Sequence, residues 1–229
     1  MHYILALGCA IMAIPTAALS GTNSNKIKTL RLTSKMIAAT LFLSAGVVAA
    51  TQRSEPASTA VIIMLIGLAL GWLGDLLLGL DPFVRKELKN VMLISGGVPF
   101  FLGHVAYIVV LANLQPLNLW LLPLMLVLPI LILIMHRVFD LGKLLVPFLA
   151  YSLILGAMMM FTLNVAMLGG PLGRLMIFPG VLFAISDSCL FLGKNIREKR
   201  QRPVKSLHFA CLIPYFTAQA LFAASIAYL

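Results

Sequence analysis

Charge is what this sequence has least of. Only 10% of its 229 residues are Asp, Glu, Lys or Arg, against about 25% in an ordinary soluble domain, and just seven are acidic. Such a chain cannot dress its surface in polar side chains, which excludes a water-soluble globule, and its 61% hydrophobic content excludes disorder as well. Short repeats are missing, and with them the fibrous classes. Cysteine is scarce: Cys9, Cys189 and Cys211 each fall inside an apolar run, with no CxxC pair and no Cys/His ligand spacing, and read as small packing residues. No GxSxG, HExxH or phosphate-binding loop occurs. A single deep histidine with two aspartates lacks the spacing of a zinc motif, so neither a metal nor a cofactor is expected.

What is present is a series of long apolar runs, at roughly 3 to 20, 35 to 51, 58 to 80, 91 to 112, 117 to 135, 143 to 167, 173 to 194 and 208 to 228. Each can cross about 30 Å of hydrocarbon as a helix rising about 1.5 Å per residue. The expected fold is therefore all-α, an integral membrane bundle of eight transmembrane helices. With short connections throughout, residues 1–229 form one transmembrane domain.

The net charge of +10 does not read as a nucleic-acid footprint, because the basic residues sit in short segments between spans rather than along one face. Lys26, Lys28, Arg31 and Lys35 follow the first span; Arg85, Lys86 and Lys89 the third; Arg137 and Lys143 the fifth; Lys194, Arg197, Lys199, Arg200, Arg202 and Lys205 the seventh. Fifteen basic residues thus share one side, and only Arg53 and Arg174 lie on the other. The positive-inside rule puts the odd loops in the cytoplasm and both termini outside. The first run ends in small residues, as a signal peptide does, but no Lys or Arg precedes its apolar core, and it reads as a retained helix. In a bacterium the host would be the cytoplasmic membrane.

Against this background two carboxyl groups stand out. Glu55, Asp81, Glu87, Asp140 and Glu198 fall in loops or at helix ends, whereas Asp75 and Asp187 lie within spans. An intramembrane carboxyl costs several kcal/mol on insertion scales and usually faces the bundle interior or a wet cavity; the structural alternative is an interhelical hydrogen bond. Counting about 1.5 Å per residue from the basic ends, Asp75, Asp187, Tyr151, Tyr215 and Gln219 share a layer roughly 8 to 17 Å below the inner surface. His104 and Tyr107 come out higher, past mid-membrane, unless Pro99 bends their helix. Tyr151 and Tyr215 also suit an interfacial belt, His104 a packing role, Lys35 a snorkelling flank, and Gly67, Gly71 and Gly74 close helix packing. GDLLLGL in the third span and SDSCLFLGK in the seventh form a weak internal echo of the kind parallel duplication produces.

Read together, SK at 34–35, LGDLLLGL at 73–80, FFLGHVAY at 100–107, VPFLAYSLILGAM at 146–158, GVLFAISDSCL at 180–190 and PYFTAQALFAAS at 214–225 resemble the YhhN family of eight-helix membrane proteins, whose characterised animal members are lysoplasmalogenases. The combination GD, GHxxY, SD and YxxAQ carries the resemblance; after the lysine this chain has Met36 where the family usually has Pro. The resemblance implies a membrane lipid hydrolase that splits the vinyl ether of a 1-alkenyl lysoglycerophospholipid into a fatty aldehyde and glycerophosphoethanolamine or glycerophosphocholine. It implies Asp75 and Asp187 as the catalytic pair, and Lys35, His104, Tyr107, Tyr151, Tyr215 and Gln219 as lining the substrate site. A lysophospholipid and membrane lipids are then the expected partners, with no nucleic acid.

The chemistry suits these residues. Vinyl ethers are cleaved by protonation at the β-carbon, giving an oxocarbenium ion that water captures as a hemiacetal. Two neighbouring carboxyls in a low-dielectric site do not readily both ionise, so one can act as general acid while the other stabilises the cation and orients water. The sequence leaves open which does which. The rival readings are a proton-coupled transporter using the same aspartates and a lipid-binding bundle. A carrier should place polar residues on both sides of the midplane, whereas here the outer half holds little beyond His104, Tyr107 and Asn164.

Overall fold

The computed structural model describes residues 1–19, 24–54, 56–139, 141–200 and 205–229, without the side chains of residues 86, 89, 90, 139, 193–200 and 205. Glu55, Asp140 and Arg202 fall outside the described residues, as do the side chains of Lys86, Lys89, Lys194, Arg197, Glu198, Lys199, Arg200 and Lys205. The described chain is all-helical: α1 (His2–Ala18), α2 (Asn25–Thr51), α3 (Thr59–Gly79), α4 (Lys89–Ala112), α5 (Leu124–Phe139), α6 (Leu145–Ala166), α7 (Gly170–Met176), α8 (Pro179–Arg200) and α9 (Lys205–Ser225), joined by short 3-10 turns. Among the described residues seven segments are long and apolar enough to cross a membrane: one each on α2 to α6, one running through α7 into α8, and one on α9. α1 is apolar but shorter, about 25 Å at 1.5 Å per residue.

Several boundaries differ from the sequence reading. α2 begins ten residues early, directly after Ser24 in extended backbone (φ −64°, ψ 128°), so Lys26, Lys28 and Arg31 stand on a helix rather than in a loop. At 27 residues it reaches about 40 Å, beyond the hydrocarbon thickness. The fifth span starts at Leu119 rather than 117, and its helix α5 only at Leu124, after Pro116 and Pro123, because the preceding segment is clamped to α6. Buried Asn164 donates to Pro116 O (3.2 Å) and accepts from the Asn118 backbone N–H (3.1 Å) and amide (3.0 Å). The seventh span is broken: α7 ends at Met176 and α8 restarts at Pro179, a residue with no N–H to continue a helix but well suited to begin one. The turn from α6 into α7 needs Gly169 and Gly170 at φ 72° and 64°, where side-chain-bearing residues are strained.

The outer surface is what a lipid solvent selects. α5 packs on α6 and exposes Leu126, Val127, Ile130, Leu133 and Ile134. α1 exposes Ile4, Leu7, Ile11 and Ile14 while burying Ala6, Cys9, Ala13 and Ala17 against α2 and α9; without a water-driven effect between membrane helices, small residues allow the close packing that holds them. His2 bonds Gln52 (2.6 Å), Arg53 donates to Ile226 O (3.1 Å) and Tyr3 bonds Tyr228. The start of α1, the end of α2 and the end of α9 therefore meet at one end of the bundle.

Candidate functional site

Six helices bring polar side chains to one buried region, each by helical spacing on its inward face. α3 presents Asp75; α9 Tyr215 and Gln219; α4 Phe100, His104 and Tyr107; α6 Tyr151; and α8 Phe183 and Asp187, one turn apart. α2 supplies Lys35.

Asp75 is 1% exposed and forms an ion pair with Lys35, Nζ to Oδ1 3.0 Å. The same ammonium donates to the Asp75 backbone carbonyl at 3.1 Å. The other carboxylate oxygen accepts from Tyr215 Oη at 2.7 Å. Gln219 Nε2 donates to Tyr215 Oη (3.2 Å), and Tyr107 Oη donates to Gln219 Oε1 (2.8 Å). Five residues from four helices thus form one satisfied chain, the condition under which buried polar groups stabilise rather than cost. Asp187 is half-buried and accepts from Tyr151 Oη at 2.7 Å; among the described residues no cation pairs with it.

A series of aromatic rings links the two centres. His104 packs edge-on against Phe183 (centroids 5.0 Å) and Tyr151 (5.7 Å). Phe183 in turn meets Tyr215 at 5.7 Å, as does Phe100. Tyr107 stacks on Phe222 at 4.2 Å.

All eight sequence-predicted site residues therefore fall in this cluster, but not all as expected. Lys35 is neither a flank nor exposed to head groups; it is 9% exposed, ten residues inside α2, because Asp75 holds it there. Tyr151 and Tyr215 are not belt residues, since each donates to an aspartate. Tyr107 and His104 join the same region despite their higher estimated depth, Tyr107 through Gln219 and His104 against Tyr151. Sequence reasoning missed Phe183 and Phe100; each lies four residues before a polar site residue, Asp187 and His104, and so on the same helix face. Among the described residues no three His, Cys, Asp or Glu side chains converge.

The glycines of α3 shape the site. A Cβ at Gly67 would overlap the Tyr107 ring, at Gly71 the Gln219 amide, and at Gly74 the Phe100 ring at 2.7 Å. They serve close packing, and what packs against them is the site itself.

A search of curated proteins and of solved structures finds no match to this chain. The model of the YhhN family matches residues 29–226, a stretch holding every residue of the cluster just described. The chain belongs to the YhhN family.

Proposed function

We propose that this protein is a membrane lipid hydrolase of the lysoplasmalogenase type, cleaving the vinyl ether of a 1-alkenyl lysoglycerophospholipid. The observation that carries the reading is the inequality of the two carboxyls: each accepts a bond from a tyrosine, but among the described residues only Asp75 is paired with a cation. Vinyl ether hydrolysis asks for such a pair, one group that delivers a proton and one that stays anionic.

In this scheme Asp187 is the general acid. Its proton goes to the β-carbon of the vinyl ether; the alkene electron pair forms the new C–H bond, and the ether oxygen shares its lone pair to give the oxocarbenium ion. Asp75, ion-paired with Lys35, stabilises that cation and takes a proton from the attacking water, which forms the hemiacetal. Collapse of the hemiacetal returns a proton from Asp75 to the departing glycerol oxygen and one from the hemiacetal hydroxyl to Asp187, releasing the aldehyde with both groups reset. The basic residues at the Lys35 end of the bundle suit a phosphate at the interface.

Purified protein incubated with a 1-alkenyl lysophospholipid should release fatty aldehyde. Asp187→Asn should abolish release while the protein stays folded and binds lysolipid, because asparagine keeps the size and hydrogen bonding of a carboxyl but transfers no proton; Asp75→Asn should abolish it as well, read per folded molecule because it also strands Lys35. Activity within about tenfold of wild type, a loss of only about 1.4 kcal/mol, would remove that aspartate from the role. A proton-coupled carrier is the second reading, favoured by the buried Lys35–Asp75 pair; proton-driven uptake into proteoliposomes without aldehyde release would select it.

A further inference from the structure

We infer that His104 recognises the free hydroxyl of the substrate's glycerol, and so makes the site selective for a lysolipid over its 2-acylated parent. This rests on the hydrolase reading above. His104 is 2% exposed, and neither of its ring nitrogens has a protein partner among the described residues. The polar side chains around it differ: Tyr151, Tyr215, Tyr107 and Gln219 are all bonded within the cluster. Burying an imidazole without a protein partner is costly, and its ring packs edge-on against Phe183 and Tyr151.

The chemistry of the missing partner follows from the ring. Neutral imidazole has one N–H donor and one bare acceptor nitrogen. A hydroxyl answers either and an ester answers only the donor. Position narrows it further. Tyr151 leads directly to Asp187, and Phe183 leads through Tyr215 to Asp75, so His104 stands in the series of rings that joins the two carboxyls. In a 1-alkenyl lysolipid the free hydroxyl is on the carbon next to the one carrying the vinyl ether oxygen; holding it at His104 brings the ether to the acid. Acylation removes that O–H and adds a chain where the ring already stands. Water is the other source of an O–H here, and the experiment separates the two.

Initial rates are measured for a 1-alkenyl lysophospholipid and for its analogue with hydrogen in place of the glycerol hydroxyl, using wild type, His104→Phe and His104→Gln. Wild type should prefer the hydroxyl substrate by about 10- to 100-fold in kcat/KM, the range for a site left with an unpaired buried partner. His104→Phe should treat the two substrates alike to within about threefold, and His104→Gln, which retains a donor and an acceptor, should recover part of the preference. A wild type that hydrolyses both at the same rate overturns the inference whatever the variants do. So does a His104→Phe enzyme that is slower on both substrates but keeps the preference, which would assign the ring to the attacking water or to packing. A wild type that hydrolyses neither overturns the hydrolase reading itself.

Discussion

A buried ion pair is a fragile arrangement, because desolvating two charges costs about as much as their attraction returns, yet removing one partner strands the other. Lys35 and Asp75 at 3.0 Å are such a pair. Lys35→Met should therefore destabilise the protein by about 3–5 kcal/mol, whereas the double variant Lys35→Met, Asp75→Asn should recover much of that loss, since no charge is left unpaired. Thermal unfolding in detergent checks both; a single variant within about 0.5 kcal/mol of wild type, the usual scatter for a neutral surface change, would mean that the pair is not formed in the membrane. The partnership was not legible in the sequence. The aspartates announced themselves, being carboxyls inside apolar runs, but Lys35 sits where flanking lysines normally sit, and only the packing of α2 on α3 turns it inward. The tyrosines were ambiguous for the same reason: Tyr151 and Tyr215 are amphipathic, and their depth alone does not say whether the hydroxyl points to the interface or to a carboxylate.

Helix existence was written plainly in the apolar runs; helix ends were not. A membrane-spanning helix carries its signal in the stretch that touches lipid, so the polar first ten residues of α2 looked like loop, and the break between α7 and α8 was hidden in a continuous apolar run. What the runs conceal entirely is which helix touches which, and here small residues decide. A Cβ at Gly156 on α6 would meet the Met125 backbone carbonyl of α5 at 2.6 Å, and one at Gly180 on α8 would meet Met159 Cα of α6 at 2.6 Å. Gly71, by contrast, faces the flexible end of Gln219. Two alanine substitutions should consequently have opposite signatures. Gly156→Ala must push backbone against backbone and should cost about 1–3 kcal/mol, as overpacking does, while leaving aldehyde release per folded molecule close to wild type, since α5 contributes nothing to the site. Gly71→Ala should cost about 1 kcal/mol, the lost Gln219–Tyr215 hydrogen bond, but should lower kcat/KM per folded molecule about tenfold. Melting curves and initial rates on the same preparations test the split; parallel losses in both measurements for both variants would show that the glycines act only through global stability.

For the molecule as a whole the governing quantity is the distribution of its 17 basic residues. The bonds of His2 with Gln52 and of Arg53 with Ile226 gather both ends of the chain at one end of the bundle. At the opposite end lie the start of α2, with Lys26, Lys28 and Arg31, and the end of α3. The site lies nearer this basic end, since Asp75 is four residues from the end of α3. Basic residues near the ends of spans stay on the cytoplasmic side, so the Lys26 end should face the cytoplasm and the Arg53 end should face out. The site would then open to lipids of the inner leaflet, whose phosphates the basic end would meet. In a variant with Cys9, Cys189 and Cys211 replaced by alanine, Ser54→Cys should react with an impermeant thiol reagent added to intact cells. Lys26→Cys should react only after permeabilisation. Labelling of Lys26→Cys from outside would invert the orientation, moving the site to the outer leaflet and requiring its lipid to be supplied from that face.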